Sequence, residues 1–106
     1  MQTLVQVVSS RGPSLRDLIV NDPRVAEFGL YVQKKQQPGR SHGWAKIRSK
    51  ESHGALNIEW DAAARILTCR VVNRGAGRPH QIIGELVHYL LDRRSGRIQS
   101  INIYRR

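Results

Sequence analysis

The chain has 106 residues, a formal net charge of +10, 40% hydrophobic residues and 25% charged ones. This is the composition of one globular domain, so residues 1–106 read as a single unit, and no apolar run approaches the ~20 residues that span a bilayer. The start, MQTLVQVVSSRG, lacks the basic flank and unbroken apolar segment of a signal peptide, and the single cysteine, Cys69, excludes an internal disulfide and a cysteine-based metal cluster, so a cytoplasmic protein is expected.

In chain order, residues 3–8 (TLVQVV) are rich in β-branched side chains and read as a strand. Ser14 followed by Asp17 resembles a capping box behind Pro13, and Leu15, Leu18 and Ile19 give a short helix through Val20. Asp22-Pro23 opens a further turn that Gly29 ends. Residues 30–33 alternate as a strand, and KKQQPGRSHG is a long basic loop. In Trp44–Ser49, Ala45 and Ile47 face away from Trp44, Lys46 and Arg48. Residues 55–60 put Leu56, Ile58 and Trp60 on one face, with Asn57 and Glu59 on the other.

Ile66–Asn73 returns as the second arm of a hairpin. A loop at residues 61–64, pairing Ile58 with Leu67, gathers Leu56, Ile58, Trp60, Leu67, Cys69 and Val71 on one side, whereas a one-residue slip would mix the faces. From residue 80 to 91 the helical period is clear, with a stripe of Ile82, Ile83, Leu86, Val87, Leu90 and Leu91. Gly96 stops that helix, and residues 97–104 form a last strand with Ile101 and Ile103 opposite Ile98. The fold class is α+β: a mostly antiparallel sheet of about five strands, with a short N-terminal helix and a longer C-terminal amphipathic helix on one face.

The charge is unevenly spread. Arg11, Arg16 and Arg24 balance Asp17, Asp22 and Glu27, so the whole excess lies from Lys34 onward. Residues 34–50, 65–78 and 93–106 contain no acid at all, which points to a polyanionic partner. On the face opposite the expected core, Trp44, Lys46 and Arg48 join Asn57, Glu59, Thr68 and Arg70. An aromatic ring among cations and hydrogen-bonding groups is what sheets binding single-stranded nucleic acid offer, with Tyr31 or Tyr104 as further rings.

The second candidate is the stretch VVNRGAGRPHQ. Gly75 and Gly77 imitate the start of GxGxxG, but His80 stands at the third glycine position, so a dinucleotide site is not expected. With Pro79 at the first helical position the N-cap is Arg78, a poor cap, and Arg74, Arg78 and His80 add positive charge there. Free N–H groups and the helix dipole would favour a phosphate at that turn.

The four histidines, His42, His53, His80 and His88, show no metal-ligand spacing, and no serine sits in a nucleophile motif. Neither a metal nor a cofactor is expected. The reading is a small, basic, non-catalytic nucleic-acid-binding protein, with RNA or single-stranded DNA favoured over duplex DNA. The alternatives are a module that binds an acidic protein partner and a small metal-independent ribonuclease using His80, Glu59 and Arg78.

Overall fold

The computed structural model describes residues 2–73 and 79–105. Strand β1 (Thr3–Ser9) buries Val5 and Val7 completely. Helix α1 (Leu15–Val20) starts where expected: the Ser14 hydroxyl accepts from the Asp17 amide at 3.2 Å. At its C-terminal end Asp22 caps a 3-10 helix, Pro23–Phe28, through a 2.9 Å bond from the Arg24 amide. Gly29 closes that helix at φ 83, a left-handed conformation that favours glycine.

The remaining elements are β2 (Leu30–Lys34), β3 (Trp44–Ser49), β4 (Gly54–Asp61), β5 (Ile66–Asn73), α2 (Pro79–Arg93) and β6 (Ile98–Arg105), with a short 3-10 turn, Ser95–Arg97, before β6. Every segment read as a strand joins one antiparallel sheet in the order β2-β3-β4-β5-β1-β6, so six strands form instead of about five. Both α-helices pack on the same face of it.

Two details of register and one of helix burial differ from expectation. The β4–β5 hairpin pairs Asp61 with Ile66 and Ile58 with Cys69, not Ile58 with Leu67. The loop therefore shifts to residues 62–65, held by Asp61 Oδ1 accepting from the Ala64 amide at 3.1 Å and by Arg65 at φ 58. A two-residue slip keeps every side chain on its expected face, so the hydrophobic pattern could not distinguish the two registers.

In β6 the pairing shifts between Val8 and Ser9, which sets Ile98 opposite Ser9. This irregularity returns Ile98 to the side of Ile101, where both pack against the core. In α2 the buried stripe is Ile82, Leu86, Tyr89 and Leu90, while Leu91 is 53% exposed. The helix is turned so that Tyr89 enters the core, where its ring meets Phe28 edge-on at 5.4 Å.

The core lies between the helices and the sheet. Ile19, Ile47, Leu56, Ile58, Leu67, Leu86 and Leu90 are all fully buried there. The Cys69 thiol is enclosed with them, and burial pushes its pKa up to about 12. Ile58→Val should lower the unfolding free energy by about 0.5–1.5 kcal/mol, measured by urea melts, because a close-packed site cannot refill one missing methyl.

Candidate nucleic-acid interface

The outer face of the sheet, away from the helices, follows from the strand pairing. One cross-strand row runs Lys46, Asn57, Arg70, Leu4, Tyr104. A neighbouring row places Tyr31 beside Arg48, followed by Ala55 and Val72. A third runs Trp44, Glu59, Thr68, Gln6, Asn102. Directly opposed residues share a face, so Lys46, Arg48 and Arg70 do stand on one surface. Tyr31 and Tyr104, 41% and 47% exposed, belong to that same surface at its two ends. Five strand spacings of ~4.8 Å separate β2 from β6, so the two rings lie on the order of 24 Å apart.

Trp44 is on the outer face as expected, but it is not an open stacking platform. It is 2% exposed. The loop between β2 and β3 passes over it, with the Arg40 guanidinium 5.3 Å from the ring centroid. The cause is the anchoring of that loop. Gly43 O accepts from the Trp60 amide at 3.0 Å, and a Cβ on Gly43 would stand 2.7 Å from Trp60 O. Only glycine lets the chain run this close to β4.

From α1, the buried Arg16 reaches the loop base. Its Nε donates to Trp44 O at 3.0 Å and its Nη2 to Lys35 O. The indole Nε1 of Trp44 is buried with no hydrogen-bond partner among the described residues.

Beside Trp44 lies an open concavity of about 560 Å³, lined by Arg40, Trp44, Glu59, Asp61, Thr68 and Arg70 among others. Two cations and two carboxylates share it, so this end of the face is close to neutral. Of the cations on this face, Lys46 and Arg48 stand outside the concavity, whereas Arg70 lines it.

The first three arginines of the third acid-free block, Arg93, Arg94 and Arg97, are engaged inside the protein. Asp22, whose side chain is 4% exposed, accepts from Tyr89 Oη at 2.9 Å, Arg94 Nη2 at 3.1 Å and Arg93 Nε at 3.4 Å. Arg94 also donates to Leu18 O at 3.2 Å. Burial alone would raise the Asp22 pKa, but the bonds from the Arg24 amide, Tyr89 and Arg93 outweigh it and hold it below the usual carboxylate value. The Tyr89 hydroxyl is pushed up to about 12, first by burial. Arg97 donates to Ser10 O at 3.1 Å and packs against Gly12. These arginines tie α2 and the approach to β6 to the N-terminal third. An acid-free run in sequence is therefore no guide to free charge, because the neutralising carboxylate comes from 71 or 72 residues away.

His80 is exposed in the first turn of α2, whereas Arg74, Gly75, Gly77 and Arg78 lie outside the described residues. Of the suggested ribonuclease set, Arg78 lies outside the described residues, and Glu59 and His80 are not brought together. Glu59 is on the outer face, while α2 packs on the other one. A Cβ on Gly54 would sit 3.0 Å from Ile82, so α2 starts over the far end of β4 from Glu59. Among the described residues, no helix is long and apolar enough to cross a membrane. Comparison with protein-family models, with curated proteins and with solved structures finds no match.

Proposed function

We propose that this chain binds single-stranded nucleic acid, RNA or DNA, on the outer face of its sheet in the cytoplasm, without chemistry. The observation that carries the reading is the cross-strand set Arg48, Lys46, Asn57 and Arg70, flanked on the same face by exposed Tyr31 and Tyr104. Phosphates attract the cations wherever they fall along the strand. Bases stack on tyrosine faces with little regard to sequence. Asn57 can donate to or accept from a base edge. A flat sheet suits a flexible single strand better than the groove of a duplex, which takes an inserted helix or a two-stranded ribbon. Residues 75–80 would add a phosphate contact to this site.

The test is fluorescence anisotropy with labelled single-stranded RNA, single-stranded DNA, duplex DNA and polyglutamate of matched charge. With about four phosphates neutralised, single-strand affinity should fall roughly 50-fold between 50 and 200 mM salt. Tyr31→Ala and Tyr104→Ala should each weaken binding by about 1–3 kcal/mol. Arg70→Ala should lower the salt slope by about one. A flat salt response sinks the proposal. Equal binding to polyglutamate would mark an acidic protein as the partner instead.

A further inference from the structure

The far edge of the sheet has a character opposite to its basic face. β6 is the last strand in the sheet order and pairs with β1 alone. Edge strands are ordinarily protected by charged side chains, proline, shortness or a covering element. β2, at the other edge, shows such protection: it has five residues, a register shift and Lys34 at its end. Residues 98–104 of β6, IQSINIY, contain neither a charge nor a proline.

Beside this edge, on the core side, runs a groove of about 450 Å³ between β6 and α2, lined by Val87, Leu91, Ile98, Ile101 and Ile103 with three uncharged polar residues. Leu91 and Ile103 are 53% and 52% exposed. In a protein of net charge +10, this strip is apolar and neutral.

We propose that the edge of β6 pairs antiparallel with β6 of a second copy of this chain, extending the sheet across a two-fold axis. Opposed residues in an antiparallel pair share a face, so the axis passes at a residue position. Centring it on Asn102 sets Ile101 of each copy opposite Ile103 of the other, and the two grooves close over these isoleucines. The two Arg105 side chains then stand six residue steps apart, roughly 20 Å, which exceeds the screening length of ~8 Å at physiological salt.

A strand of ~27 Å with a groove beside it covers on the order of 550 Å² per copy. That is at the low end of specific interfaces, so the dimer should be reversible and concentration-dependent. A second copy is a better occupant than a foreign peptide because the strip carries no charge to select one, while its own sequence matches it residue for residue. The axis is perpendicular to the sheet, so both outer faces point the same way.

Sedimentation velocity of the whole chain, from about 1 to about 200 µM without nucleic acid, tests this. The wild type should pass from 12.1 kDa to twice that mass. Ile103→Lys and Leu91→Lys should each weaken association at least tenfold with unchanged circular dichroism, since both side chains are already half exposed. Tyr31→Lys, on the opposite edge, should leave association intact. A wild type that stays monomeric overturns the proposal. So does a dimer that survives both groove variants, or one that Tyr31→Lys abolishes.

Discussion

Trp44→Ala should lower the unfolding free energy by about 3–5 kcal/mol, a core-sized loss at a residue outside the main core. The indole is 2% exposed although it lies on the face of the sheet away from the helices. It forms a small second packing site, closed by the β2–β3 loop and Arg40. The neighbouring concavity of about 560 Å³ lets water reach the space the ring would leave, which should hold the cost toward the lower end of that range. Trp44→Phe discriminates packing from hydrogen bonding. Its loss should be smaller, because the Nε1 hydrogen has no partner among the described residues to forfeit. Urea melts of both variants check this. A Trp44→Ala loss below about 1 kcal/mol would mean that the ring is not packed.

Asp22→Ala should cost about 2–4 kcal/mol. Removing one partner of a buried ion pair leaves the others stranded, but Arg93 and Arg94 are 30% and 21% exposed and water recovers part of the loss. Tyr89 is fully buried, and among the described residues its hydroxyl would keep only the contact with Arg94 at 3.3 Å. The same carboxylate sets a pH dependence. Its folded pKa is lowered, so on acidification the unfolded chain takes up the proton first. The contribution is therefore complete above the unfolded value of about 3.9 and is lost as pH falls through the lower folded value. Asp22→Asn should remove this part of the acid slope, seen by comparing melts from about pH 6 to about pH 2. Parallel acid slopes for wild type and Asp22→Asn would contradict the assignment.

The strands, both helices and the caps Ser14, Asp22 and Gly29 were legible in the sequence because each rests on local information. Ser14 and Asp22 are good acceptors ahead of free amides, and Val5/Val7 or Ala45/Ile47 alternate with polar residues. What escaped depends on distant parts of the chain. Alternation fixes which face Ile58 occupies, but not whether Leu67 or Cys69 lies opposite it. Ile98 changed sides because of one irregularity between strands far apart in sequence.

For the site, the outer-face membership of Lys46, Arg48 and Arg70 was readable from parity, but the covering of Trp44 was not. That covering needs Gly43 against β4 and Arg16 holding the loop from α1. Nothing local marked Arg93, Arg94 and Arg97 as internal struts.

The place of β1 in the sheet has a consequence for the order in which the protein can form. β1 pairs only with β5 and β6, so Thr3 waits for Val71 and Leu4 for Tyr104. The strands β2 to β5 pair with sequence neighbours and can zip together as a meander by closing short loops. β1 cannot dock until that meander presents the edge of β5, and β6 cannot dock until β1 has. An N-terminal strand rich in valine thus remains unpaired during synthesis until most of the chain has emerged. Pairing over such separations is intrinsically slow. Over that interval TLVQVVS is an apolar segment with open hydrogen-bonding groups, and aggregation in this protein should begin there, in the nascent or refolding chain and not in the folded one.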